Sequence, residues 1–96
     1  MYARVVRFTD VDSGRIDEIV QRTSTAEGPP EGVDSTAFKL FYDASQGTAV
    51  FVGFFDTEEK MIEGGKVLSA MDASEVPGTR ASVDNCEVKV ERSIDE

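Results

Sequence analysis

One segment limits the possible folds more than any other: the stretch from Thr48 to Phe55 is almost entirely apolar. Its β-branched and aromatic content predicts a strand, and side chains alternate between the two faces of a strand. One parity holds Val50, Val52 and Phe54, and the other holds Ala49, Phe51, Gly53 and Phe55. A strand that is apolar on both faces must be covered on both faces.

The other segments make this strand the third of four. Strand patterns also run from Tyr2 to Thr9, from Thr36 to Asp43 and from Thr79 to Ile94. Apolar residues at helical spacing follow the first strand as far as about Arg22 and follow the third strand from Asp56 onward, before a loop over 72–78. The sequence therefore predicts the order β, α, β, β, α, β.

The two halves of this order resemble each other, because Val5–Asp10 and Phe51–Asp56 are both strands that end in a carboxylate. Such a repeat is typical of the split βαβ arrangement. We expect an α+β fold, a ferredoxin-like βαββαβ antiparallel sheet with two helices on one face. A chain of 96 residues has room for one core, so the prediction is a single domain over residues 1–96.

The second face of the sheet needs a cover that two helices cannot supply. Phe51 and Phe55, together with Phe41 and Val5 or Val6, are expected to lie in water unless another layer hides them. Burial of one large apolar side chain contributes roughly 1.5 to 3 kcal/mol. With no further domain to use, the chain is expected to pair with a copy of itself as a homodimer.

Charge and composition exclude several classes of partner and chemistry. The chain has 10 Lys and Arg against 19 Asp and Glu, a net charge of -9 that repels nucleic acid and anionic membranes. No segment approaches the roughly 20 apolar residues that span a bilayer, so we expect a soluble, cytoplasmic protein. Histidine is absent, which removes Ser-His and Cys-His nucleophiles and His-ligated metals. Cys86 is the only cysteine and is expected to be a buried, inert thiol.

The order of elements, the aromatic-rich stretch Ala49–Phe55 and the helix start Asp56-Thr57-Glu58-Glu59 resemble the dimeric α/β-barrel superfamily. The chain is similar in particular to small proteins of the antibiotic-biosynthesis-monooxygenase type. The resemblance implies a pocket between sheet and helices and a cofactor-independent oxygenation of aromatic molecules. It does not extend to haem degradation, because histidine is missing and Phe55-Asp56 stands where relatives often have tryptophan.

Polar and aromatic residues in the strands are the candidates for binding a ligand. A polar residue that faces a pocket would orient a ligand, whereas one at a strand edge would face solvent. Arg80 and Glu87 are further polar strand residues to which the same two alternatives apply. Phenylalanines would either stack on a flat ligand or pack the core. The predicted ligand-binding residues are Arg4, Lys39, Tyr42, Phe51, Phe55 and Asn85.

No catalytic residue, metal site or cofactor is predicted. Asp10–Gly14 begins like a calcium loop, but Gln21 stands where the closing glutamate belongs. The leading hypothesis is a dimer that binds a small apolar or aromatic molecule, with monooxygenase-like activity implied by the resemblance. The alternatives are a non-catalytic binding or regulatory module and a structural dimer without chemistry. An enclosed apolar cavity with converging polar side chains would favour the binding hypotheses.

Overall fold

The computed structural model describes residues 1–26, 28–71 and 76–94. Its elements are β1 (Tyr2–Thr9), α1 (Ser13–Thr25), β2 (Ala37–Asp43), β3 (Thr48–Phe55), α2 (Glu58–Ser69) and β4 (Thr79–Glu87). The strands form one antiparallel sheet in the order β2-β3-β1-β4. The α+β class is confirmed, and the arrangement is compatible with a ferredoxin-like fold. Neither described helix is long and apolar enough to cross a bilayer.

Two element ends differ from the sequence prediction for local reasons. Helix α1 continues past Arg22 because the hydroxyls of Thr23, Ser24 and Thr25 donate to carbonyls one turn earlier, instead of starting a loop. Strand β4 ends at Glu87 and not at Ile94, because its neighbour β1 begins at Tyr2, and the last backbone hydrogen bond between the two segments runs from the Val88 N–H to the Met1 carbonyl. The predicted loop over 72–78 falls largely on residues 72–75, which lie outside the described residues.

Both helices begin at a side-chain cap. The Asp12 carboxylate accepts a hydrogen bond from the backbone N–H of Arg15 at 2.8 Å, which fixes the start of α1. The Thr57 hydroxyl accepts from the backbone N–H of Lys60 at 3.2 Å and caps α2. The sequence predicted that this helix starts at Asp56, whereas the capping residue in the structure is the next one, Thr57.

The helices cover one face of the sheet, and two separate apolar clusters lie beneath them. Residues directly opposite each other on paired strands lie on the same face of the sheet. A contact between a helix and either residue of a pair therefore shows that both residues are on the helix side. The first cluster joins Val6, Phe8, Val11, Ile16 and Ala49. The second joins Val33, Phe55 and Met61. Because these clusters are not continuous, the space between them is available for a cavity.

The face of the sheet opposite the helices carries different residues from those that the sequence predicted. Val6, Phe51 and Phe55 lie on the helix side, since alternation alone cannot tell which parity the helices cover. We use the term helix-free face for the other surface, whose apolar members are Val5, Phe41, Val50, Val52 and Phe54. Phe41 is exposed and the other four are half-buried. An apolar second face is thus present, with different residues from those expected.

Candidate functional site

A cavity of about 1030 Å³ lies between the sheet and the helices, and we call it the central cavity. Its floor is the helix side of the sheet, where Val6, Phe8, Phe51, Gly53 and Phe55 line it. Its opposite wall comes from α1, from the end of α2 and from the loop around Pro29 and Pro30. The cavity therefore occupies the gap between the two apolar clusters.

Helix α1 contributes one continuous stripe to the central cavity. Ile19, Arg22 and Thr23 line it, at the i, i+3 and i+4 spacing of a single helix face, and the C-cap residue Ala26 lines it directly after the helix. Ile16 is the only buried residue among those described in this helix. The guanidinium of Arg15 holds this end of the helix by donating to the carbonyl of Val76 at 3.0 and 2.8 Å. The helix is anchored near its start, and its later turns face the cavity.

Gly53 opens the floor of the central cavity at the middle of β3. It pairs with Arg4 on β1 and with Phe38 on β2, so a side chain there would project between them. A Cβ at this position would lie 3.4 Å from the nearest atom, on the Phe55 ring, which is ordinary contact. Its backbone is not in the left-handed region. A methyl group therefore fits at position 53, and a longer side chain there would project into the cavity.

An aromatic wall borders the central cavity on the β2 side. The rings of Phe38 and Phe51 are stacked, with their centroids 5.4 Å apart and their planes 12° from parallel. Phe38 is 47% exposed, although it lines the cavity. An exposed ring face in this position offers a stacking surface to a flat molecule.

Arginine supplies all the charge among the described residues that line the central cavity: Arg4, Arg22 and Arg80. Arg4 is 5% exposed, and its Nη2 donates to the Ser69 hydroxyl at 3.1 Å. Arg80, on the neighbouring strand, donates to the carbonyl of the same Ser69 at 3.4 Å. Burial lowers the pKa of the Arg4 guanidinium, and the positive charge of Arg80 lowers it further. The two cations meet at the C-terminal end of α2.

The structure brings three of the six predicted ligand-binding residues to the central cavity, namely Arg4, Phe51 and Phe55. Lys39 is exposed on the helix-free face. Tyr42 packs against the first apolar cluster. Asn85 lines a smaller and more open depression of about 320 Å³ beside Tyr2, Glu58 and Cys86. The expectation that Cys86 is buried is wrong: it is exposed, because β4 lies at the edge of the sheet. Of the phenylalanines, Phe55 is fully buried against α2 and acts as part of the core.

Sequence reasoning missed Arg22 and Gly53 as cavity residues. The signal for Arg22 was present, because it shares the helical stripe of Ile19 and Thr23. Gly53 carried no such signal, since a glycine in a strand does not reveal which face is left open. Among residues 1–26, 28–71 and 76–94, no three Cys, Asp or Glu side chains are grouped as metal ligands would be.

Comparison with known proteins found no similarity to report: no family model, no curated protein and no solved structure matches this chain. The site is therefore interpreted from its own geometry.

Proposed function

We propose that this protein binds a small, flat and largely apolar molecule in the central cavity and works as a homodimer of the dimeric α/β-barrel type. The observation that carries the binding proposal is the cavity itself, about 1030 Å³ bordered mainly by aliphatic and aromatic side chains. Pockets for small organic ligands have this character and measure roughly 300 to 1,000 Å³. A ligand that covers the cavity walls buries their apolar surface, and this burial stabilises the complex by about 25 cal/mol per Å².

The aromatic wall favours a flat ligand over a globular one. A planar ring slid against Phe38 would continue the existing stack with Phe51, at the centroid spacing that aromatic pairs prefer. The stack also keeps Phe51 in place before a ligand arrives. Preorganisation of this kind lowers the entropy that binding must lose.

Binding without chemistry is the function that the lining favours. The polar side chains among the described lining residues are the three arginines with Thr23, Ser35 and Thr36. None of them is a carboxylate, phenol, thiol or amine of the kind that removes a substrate proton near neutral pH. A ligand-binding or regulatory module needs no such group.

Cofactor-independent oxygenation is the second candidate, and the arginines are the observation in its favour. A guanidinium close to a bound phenol favours its anionic form and lowers its pKa. Incubation with anthrone, followed by oxygen uptake, separates the two candidates. Uptake that is lost in Arg4→Gln would establish the enzyme, whereas anthrone binding without uptake would establish the binding module.

The binding proposal is tested with prodan, a neutral naphthalene dye whose emission shifts to the blue in apolar surroundings. We expect the parent protein to bind it with a blue shift. Gly53→Leu should weaken binding by about tenfold or more, because the new side chain occupies the cavity floor. Gly53→Ala is the matched control, since its methyl stays in ordinary contact and leaves the cavity open. Absence of a blue shift, or equal binding by the leucine variant, would overturn the proposal.

The homodimer proposal draws support from the charge pattern on the helix-free face. One cross-strand row reads Lys39, Val52, Val5, Asp84 from the β2 edge to the β4 edge. A second copy turned about a two-fold axis parallel to the strands would set its valines on these valines. The same rotation would put each Lys39 opposite the partner's Asp84. A self-complementary surface with an apolar centre and opposite charges at its two edges fits an isologous dimer.

The oligomeric state is tested by sedimentation equilibrium at micromolar concentration. We expect the parent chain to be dimeric and Val52→Glu to be a folded monomer, because a carboxylate would be buried at the centre of the interface. Val20→Glu is the matched control: the same change on exposed α1, away from the helix-free face. A monomeric parent, or equal effects of the two variants, would overturn the dimer.

A further inference from the structure

The charges around the central cavity are opposite in sign to those of the whole chain. The sequence has 19 acidic residues against 10 basic ones. The described residues that line the cavity nevertheless include three arginines and no aspartate or glutamate. Random placement of charges in so acidic a chain would favour carboxylates here. The described part of the cavity lining is thus positive, in a protein whose net charge is negative.

Arg4 is the centre of this site. It lies in the middle of β1, 5% exposed, beneath α2. Position 65 of that helix is glycine, and a Cβ there would come within 3.2 Å of the Arg4 Nε. The missing side chain gives the guanidinium room beside the helix backbone. Only one of its five N–H groups has a hydrogen-bond partner among the described residues, the Ser69 hydroxyl.

Arg4 has no counter-ion among the described residues, and its nearest charged neighbour repels it. The ion pairs of the described chain use Arg15, Lys60, Lys66 and Lys89 as cations. A buried guanidinium remains charged, and none of the described carboxylates compensates its desolvation cost. Arg80 adds a second positive charge at the same end of α2. An anion placed between them would relieve both the burial and the repulsion.

We propose that the ligand of the central cavity is an organic acid: its apolar ring lies along the aromatic wall, and its carboxylate or similar oxyanion binds Arg4 and Arg80. The proposal rests on the proposed binding function and adds the chemical class of the ligand. Guanidinium is the side chain best suited to this task, because its planar N–H pairs match the two oxygens of a carboxylate. Arg4 and Arg80 lie on adjacent strands, with Arg80 paired to Phe8 further along β1, and both guanidiniums reach Ser69 at the end of α2.

The test compares naphthoate with its neutral isostere naphthamide by isothermal titration calorimetry. Both are flat and equal in size, so the difference between them reports the charge alone. We expect the parent to bind naphthoate at least about tenfold more tightly, as charge-assisted hydrogen bonds contribute this much. Arg4→Gln and Arg80→Gln should each reduce the preference to about threefold or less, because each change removes one charged donor from the proposed carboxylate site. Arg4→Lys keeps the charge and should retain part of the preference.

Arg7→Gln is the matched control, because Arg7 is on the same strand but exposed on the helix-free face. It should leave the preference unchanged. Equal binding of the two naphthalenes by the parent, or a preference that survives both glutamine variants, would overturn the organic-acid proposal and leave the apolar cavity site standing. A parent protein that fails to bind prodan would overturn the binding function itself.

Discussion

The ring of Phe55 lies against the bare backbone of Gly64, so closely that a Cβ at position 64 would come within 2.9 Å of the Phe55 Cε1. Phe55 is 0% exposed, and its ring also packs against Val33 and Met61 in the second apolar cluster. This contact fixes the distance between β3 and α2. It also explains why α2 contains a glycine at a position where alanine would favour the helix.

Gly64→Ala should therefore destabilise the fold, although alanine gains about 1 kcal/mol in helix propensity. Overpacking a core typically costs about 1 to 3 kcal/mol, so after the gain in helix propensity we expect a net loss of up to about 2 kcal/mol in the free energy of unfolding. Urea denaturation measures it. Gly65→Ala is the comparison, because its Cβ would lie 3.2 Å from the Arg4 Nε, a contact that needs a shift of only a few tenths of an ångström, and stability should change by less than about 1 kcal/mol. The prediction is wrong if the two variants are equally stable.

Asp12→Ala should remove the cap of α1. The backbone N–H of Arg15 would lose its acceptor, and we expect a loss of about 1 kcal/mol in thermal or urea denaturation. Asp12→Asn keeps an oxygen at the same place and should stay within a few tenths of a kcal/mol of the parent. Equal losses in the two variants would show that the charge, and not the acceptor, holds this helix end.

The β2–β3 hairpin should weaken in acid through Asp43. Its carboxylate accepts hydrogen bonds from the side chains of Ser45 at 2.7 Å and Gln46 at 2.6 Å, and also from both backbone N–H groups. The Ser45 side chain first, and then Gln46, lower the pKa of Asp43 below its ordinary value of 3.8. The folded state thus favours the ionised form, so this contribution to stability is complete above pH 3.8 and is lost as the pH falls through the lower folded pKa.

The parent should therefore be more stable than Asp43→Ala at neutral pH, and the difference should shrink on acidification below 3.8. Urea midpoints of both proteins across this range measure it. A difference that stays constant down to the acid end would contradict the assignment of the hairpin hydrogen bonds to the ionised carboxylate.

A charge exchange tests the orientation of the proposed dimer. Lys39→Asp should weaken dimerisation by about tenfold, because two symmetric pairs change from attraction to repulsion at roughly 0.2 to 1 kcal/mol each. Adding Asp84→Lys should restore the dissociation constant to within about threefold of the parent, measured by sedimentation velocity. A double variant as weak as the single one would show that these residues do not face each other.

Period-two alternation made β1 and β3 predictable to the residue, but it could not show which parity the helices cover. Phe51 and Val52 are equally apolar neighbours, yet one faces the cavity and the other lies on the helix-free face. The difference is decided by where α1 and α2 pack, and that depends on contacts such as the one between Phe55 and Gly64.

The prediction of ligand-binding residues was limited in the same way, because the sequence did not show which residues face the helices. Arg4 was identifiable as a polar residue in a strand of apolar neighbours, which is unusual unless it has a task. Lys39 has the same local pattern but lies on the opposite parity relative to the helices. Arg4 and Lys39 have different surroundings because of the way in which the strands pair, and the sequence of a single strand does not show that pairing.

The claim on which the account depends is that a ligand enters between the sheet and the helices. Isotope-filtered nuclear Overhauser spectroscopy on the protein with bound prodan tests it most directly. We predict contacts from the dye to Leu40 and Phe51, which line the central cavity. Contacts to Val5 and Val52 on the helix-free face, with none to the cavity residues, would contradict it.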